Sequence, residues 1–277
     1  MFPGFGNNKR EKKEGFFLKN GGAALENIIS LHNGDCNPIR SYSAQQLQEA
    51  TGDFRWPIDQ GYKMYKGVHE DREISVKRFT PGHVDDEVTE RIAKEVAIAS
   101  RMSSHKNVLK LLGCCLETEL PLLVYEFPTM ANLESHIYDG NNKLSWEQKL
   151  RIAIGIANAV AYLHHGLRKT IIHRSIQPSN IFIDQWETAK LFELQDAIPI
   201  PEGETHVRSK IIGTQRSVAP EICRDGHYTE KVDVYAFGIL LFQVLTDGFS
   251  SSFHDFYSNV SAESGSSSTF PSDDCSE

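Results

Sequence analysis

The stretch from Lys231 to Leu245 constrains this chain most. Val232, Val234, Ala236, Phe237, Ile239, Leu240, Leu241, Phe242 and Val244 leave it no polar face at helical spacing. A helix that is apolar all round has to be buried on all sides. It is also too short for a bilayer, which needs about 18 apolar residues in a row or more. The segment therefore predicts the centre of a thick helical layer, and with it a sizeable core. Composition agrees: 40% hydrophobic and 24% charged residues are the proportions of a globular protein. At 277 residues there is room for one large domain or two small ones.

The segments ahead of that helix change character along the chain. Residues 1–24, rich in Gly, Asn and Lys, read as loose, with a short helix over Ala23 to Leu31. Ser43 to Thr51 reads as a helix, because Ser43 and Gln46 have capping-box spacing. Short runs follow at 62–67 and 73–79, which alternate, and at 109–113 and 121–127; all four predict strands. One helix interrupts them over Asp85 to Met102, with Val88, Ile92, Val96 and Ala99 as its apolar positions. Beyond Phe127 the pattern turns helical. Ser145 starts a long helix reaching His165, with Leu150, Ile154, Ala157 and Ala161 on one face, and two short apolar runs come next, at 170–172 and 180–183. From Ser250 to Glu277 there are eleven serines and no Lys or Arg, a composition that cannot bury enough apolar surface to order itself. The reading divides the chain into an N-terminal extension with short helices (1–51), a strand-rich lobe (52–127), a helical lobe (128–249) and a disordered Ser-rich acidic tail (250–277).

Charge and cysteine content narrow the function classes. Lys plus Arg number 29 against 37 Asp plus Glu, a formal net charge of −8. That balance argues against a general nucleic-acid binder, which needs a basic face to neutralise phosphates. Cys36, Cys114, Cys115, Cys223 and Cys275 show no metal-ligand spacing, and their odd number suits a reducing compartment. Cys114 and Cys115 read as buried strand thiols. No integral membrane segment is expected. The cluster Lys9-Arg10-Glu11-Lys12-Lys13 reads first as a solvated tail, and second as a weak peripheral attraction to an anionic membrane face.

Five short motifs then occur in a fixed order. His173-Arg174-Ser175-Ile176-Gln177-Pro178-Ser179-Asn180 resembles the H-R-D-x-K-x-x-N catalytic loop of protein kinases, and Ala219-Pro220-Glu221 their A-P-E. Ile74-Ser75-Val76-Lys77 resembles V-A-I-K, and Glu95 sits mid-helix where the partner glutamate of that lysine belongs. Asp233-Val234-Tyr235-Ala236-Phe237-Gly238 is similar to the D-V-x-x-F-G of the buried kinase F helix. The wording of 108–117, 123–127 and 228–235 resembles plant receptor-like kinases of the wall-associated type, and within them the cytoplasmic ZRK group. The resemblance implies an α+β, bilobal protein-kinase-like fold. Matching stops near Phe249, so the helical lobe is expected to be C-terminally truncated, with Glu221 left without its usual partner.

Within these motifs the chemistry is damaged. A phosphate-cradling loop needs glycines so that its backbone can approach the phosphates. The three G-x-G-x-x-G positions hold Pro57, Asp59 and Tyr62; Gly61 is off by one. Ser175 stands at the catalytic aspartate, and general-base catalysis of that kind is worth on the order of 10²–10⁴-fold. Gln177 replaces the lysine two residues on. Glu193-Leu194-Gln195 stands at D-F-G. What remains for a weak ATP site is Lys77, Glu95, Glu126 and Asn180, and for a weak Mg²⁺ site Asn180 and Glu193. His173 and Arg174 read as structural, with Arg174 anchoring a charged segment. The hydroxyls Thr205, Ser209, Thr214 and Ser217 lie on that segment, residues 196–221, which reads as a surface loop.

The resemblance implies a degenerate serine/threonine kinase, a pseudokinase serving as adaptor or decoy in plant innate immunity. Its partners would be an NLR immune receptor, a receptor-like cytoplasmic kinase, or both. Its place would be the cytoplasm, with the inner face of the plasma membrane as the peripheral option. Two alternatives stay open: a low-activity serine/threonine kinase that binds ATP and Mg²⁺, and a truncated product that folds only with a partner.

Overall fold

A computed structural model describes residues 5–58, 64–79, 86–128, 132–138, 143–212 and 218–248, apart from the side chains of 5–9 and 223–225. The four predicted strand segments, joined by a short strand that was not predicted, pair into a five-stranded sheet in the order β1-β4-β5-β3-β2. Its strands are β1 (Arg40–Ser41), β2 (Met64–His69), β3 (Arg72–Lys77), β4 (Leu111–Cys115) and β5 (Leu122–Glu126). β1 joins β4 in parallel, through Arg40 with Gly113 and Ser41 with Cys114. The other pairs are antiparallel. Period-2 alternation puts Ile74, Val76 and Val124 on one face, against Leu47 of α2 (Ala44–Ala50), while Lys77, Leu123 and Tyr125 face α3 (Asp86–Met102). Ser43 caps α2 with a reciprocal capping box to Gln46.

Residues 1–24 are not loose where described. α1 is one helix, Phe5–His32, of 28 residues. Its buried positions Asn20, Ala24, Asn27 and Leu31 fall at helical spacing. Asn20 Nδ2 donates to the carbonyls of Leu116 and Thr118, at 3.1 and 2.9 Å, and Asn27 donates to Glu90 on α3 at 3.0 Å. Gly15, Gly21 and Gly22 weaken the local signal by about 1 kcal/mol each; packing against α3 outweighs them.

The helical lobe begins with α4 (Leu133–Tyr138) and α5 (Trp146–Ala161), the latter ending in a π turn over 162–166. The buried side of α5 is Ile152, Gly155, Ile156, Ala159 and Val160. Leu150 and Ile154, expected inside, are 41% and 61% exposed. Both sides of α5 carry apolar residues, so periodicity alone chose the wrong one. Short strand pairs follow: β6 (Ile171–Ile172) with β9 (Ile198–Pro199), and β7 (Ile181–Ile183) with β8 (Ala189–Leu191). β10 (Val207–Arg208) pairs with β11 (His227–Tyr228), flanking α6 (Pro220–Asp225). The apolar segment forms α7 (Lys231–Leu245). Val232, Ala236, Leu240 and Val244 are buried, but Val234 is 58% exposed, so burial on all sides does not hold. No described element crosses that side. The acidic tail lies outside the described residues.

The lobes share one core, which runs from Met64 and Val96 through Val108 and Leu109 to Ile156 and Leu240. Leu109 N donates to Leu191 O at 2.9 Å, and Leu191 N to Asn107 O at 2.8 Å, stitching the junction.

Two predictions arise from these elements. Ser145 closes a capping box with Gln148 at the start of α5, so Ser145→Ala is expected to cost about 1 kcal/mol in urea unfolding. Burial pushes the Cys114 thiol up to about 12 and raises that of Cys115. Neither should be alkylated in the native chain at neutral pH, whereas half-buried Cys36 should react slowly; peptide-resolved mass spectrometry reads the difference.

Candidate functional site

The candidate site is built around Lys77, which β3 delivers to the face of the sheet that looks at α3. Its ammonium donates to both carboxylate oxygens of Glu95, each at 2.9 Å, and to Glu193 Oε1 at 2.6 Å. Tyr125 OH donates to Glu95 Oε1 at 2.8 Å. The side chains of Lys77 and Glu95 are fully buried. The rings of Phe79 and Phe192 lie 4.9 and 5.1 Å from the nitrogen. Burial works against the charge on Lys77, but Glu193 and Glu95 outweigh it and hold its pKa above the usual lysine value. Burial pushes Glu95 up, with Lys77 opposing and the Glu193 charge adding to the rise. Tyr125 lies well above an ordinary phenol, through burial and then the neighbouring Glu95 carboxylate.

The catalytic-loop segment is held from below by α7. Asp233, fully buried, accepts from the backbone N–H of His173 at 2.7 Å and of Arg174 at 2.9 Å, and meets His164 Nε2 at 2.9 Å. His173 Nδ1 accepts from Ser175 N at 3.2 Å, which leaves the proton on Nε2 to donate to Phe192 O at 3.1 Å. Burial lowers the pKa of His173, in keeping with this neutral tautomer. Arg174 donates to Asp196 O at 2.5 Å and to Ser209 Oγ at 2.8 Å, and its guanidinium stacks 5.1 Å from the Tyr228 ring centre. Both histidine and arginine hold the segment in place.

At the position of the catalytic base, Ser175 Oγ accepts from Asn180 Nδ2 at 2.8 Å, and Ser175 O accepts from the same amide at 2.9 Å. Among the described residues the hydroxyl's hydrogen-bond partner is the Asn180 amide, a donor and not a base. Gln177 gives its carbonyl to Asn180 N at 3.0 Å and brings no cation. Glu126 lies on the opposite face of β5 from Tyr125, where it accepts from Lys110 N at 3.2 Å and pairs with Lys190 at 3.3 Å. Its side chain turns away from Lys77 and lines a separate surface pocket with Arg72, Glu73 and Lys190. Pro57 bridges to Tyr65 and has no N–H to give. Asp59 and Tyr62, with Gly61, lie outside the described residues, as do Thr214 and Ser217. Glu221 is exposed and makes no ion pair among the described residues.

The structure therefore brings Lys77, Glu95 and Glu193 together, and separately Ser175 with Asn180. As they stand, Glu193 Oε1 is engaged by Lys77 and the Asn180 amide by Ser175. Sequence reasoning gave no role to Tyr125 or Asp233. The buried register of β5 and the polar residue inside an apolar helix were the signals available for them.

This two-lobed arrangement, with a lysine–glutamate pair under the sheet and a histidine–arginine loop pinned by a helix aspartate, defines a protein-kinase fold. The family model for protein tyrosine and serine/threonine kinases matches residues 55–267, and the chain belongs to that family. Among curated proteins it is similar to the non-functional pseudokinase ZED1 of Arabidopsis thaliana, with 41% identity over 248 residues, 87% of this chain and 72% of that protein. It is 38% identical to the serine/threonine-protein kinase ZRK4 of the same plant over 240 residues, 85% of this chain and 66% of that protein. Wall-associated receptor kinase-like 1 is 35% identical over 247 residues, 87% of this chain but only 33% of that receptor. Among the described residues no helix is long and apolar enough to cross a membrane.

Proposed function

We propose that this chain is a catalytically dead or nearly dead kinase fold acting as an adaptor or decoy in plant innate immunity. Its partners on this reading are an NLR immune receptor, a receptor-like cytoplasmic kinase, or both. It works in the cytoplasm, with the inner face of the plasma membrane as a peripheral station. The observation that carries the reading is Ser175: where phosphoryl transfer needs a carboxylate, a neutral hydroxyl is bonded to Asn180. The fold around it is kept, and a fold kept without its chemistry serves binding. Similarity to a protein named a non-functional pseudokinase supports this. Co-purification of the tagged chain from plant tissue tests it. Recovery of an NLR receptor or a receptor-like kinase is expected; absence of both, in a preparation that phosphorylates protein substrates, would end the reading.

The second reading is a low-activity serine/threonine kinase. It draws on the intact Lys77–Glu95 pair and on the similarity to a protein named a kinase. Mg²⁺ and ATP at millimolar concentration must then raise the melting temperature by mass action, and no shift removes it.

A further inference from the structure

We propose that Glu193 is an internal ligand that takes the place of a metal-bound nucleotide, holding Lys77 and, through Lys77 and Glu95, fixing α3 inward with no small molecule bound. The inference rests on the pseudokinase reading and deepens it. An ammonium has three N–H donors. Lys77 places them against three oxygens, two of Glu95 and one of Glu193. No donor is left for a phosphate oxygen. Glutamate reaches one methylene further than the aspartate of D-F-G, and its oxygen arrives at 2.6 Å, a charge-assisted distance.

The backbone at Glu193 is in the left-handed region, φ 68°, which a side chain with a Cβ disfavours. Such a conformation persists only where the surroundings fix it. They do so on both sides: Phe192 N donates to Asn180 O at 2.9 Å, and Asp196 pairs with Arg91 of α3. α3 is thus tied to residues 193–196 twice, through Glu95–Lys77–Glu193 and through Arg91–Asp196. Its outer side is held by α1, where Asn27 bonds Glu90 and Lys19 pairs with Asp86 at 2.9 Å. An inward α3 here needs nothing from outside the chain.

A double-mutant cycle on the full chain tests this, with Glu193→Gln, Lys77→Met and the pair, read by thermal melting and by hydrogen exchange over 86–102. Glu193→Gln should lower the melting temperature and speed exchange in α3 on the order of tenfold, the loss of one hydrogen bond to a charged group. With Lys77→Met already present, adding Glu193→Gln should cost nothing further. Mg²⁺·ADP at millimolar concentration should leave the wild-type exchange unchanged. An effect of Glu193→Gln equal with and without Lys77→Met, or nucleotide protection of α3 in the wild type, overturns the proposal. Should Lys77→Met fail to fold, Glu193→Asp takes its place: the shorter arm should loosen α3 as Glu193→Gln does, and unchanged exchange refutes the latch. Failure here leaves the adaptor reading standing, since that reading falls only on phosphoryl transfer.

Discussion

Asp233→Ala should lose about 3–5 kcal/mol of stability, the range for removing one partner from a buried charged network. The carboxylate accepts from two backbone N–H groups, those of His173 and Arg174, and also meets the His164 ring. Alanine leaves all three buried without a partner, and each unmet group costs about 1–3 kcal/mol. Arg174 is already held at φ 66°, so the loop loses what fixes a strained residue. Asp233→Asn keeps the shape but has one acceptor oxygen, and its amide would meet donors; its loss should be smaller than alanine's yet well above 1 kcal/mol. Urea unfolding measures both. Two midpoints within experimental error of the wild type would show that the loop is held by something else.

Gly113→Ala should be nearly as damaging. β4 bulges between Leu111 and Gly113, and β1 lies so close that a Cβ on Gly113 would sit 2.0 Å from Arg40 O and 2.7 Å from Tyr42 Cε2. The first of these is backbone, which moves only by unpairing β1 and stretching the 2.9 Å bond from Tyr42 N to Cys114 O. Overpacking of this kind costs about 1–3 kcal/mol, and the lost strand pairing puts Gly113→Ala at the upper end. Gly22→Ala supplies the contrast. Gly22 is exposed within α1 with nothing within 4 Å of the added Cβ, so alanine should stabilise the chain by up to about 1 kcal/mol. Equal melts for the two variants would contradict the close approach of β1.

Legibility in the sequence followed how local each signal was. Ser43 with Gln46 announced a helix start, because a capping box is written within four residues, and Ser145 was read as the start of α5, where the structure adds a second such box with Gln148. Alternation at 62–67 and 73–79 made β2 and β3 visible, and motif wording Lys77, Glu95 and Ser175. α1 was not visible, since what orders it is a face against α3 and the carbonyls of Leu116 and Thr118, far along the chain. β1 has two residues and exists through β4. The inward face of α5 depended on which side the rest of the lobe occupies. Within the site, the types of residue were legible while their commitments were not. No spacing rule says that Glu193 would turn onto Lys77, that Tyr125 would bond Glu95, or that Glu126 would look away from both.

Phosphoryl transfer tests the central claim most directly. The purified full chain, given γ-labelled ATP, Mg²⁺ and a general protein substrate, should place no label above the blank, and Lys77→Ala should leave that result unchanged. Label that accumulates with time in the wild type and disappears in Lys77→Ala would contradict the account, because Ser175 would then stand where a working base has to be.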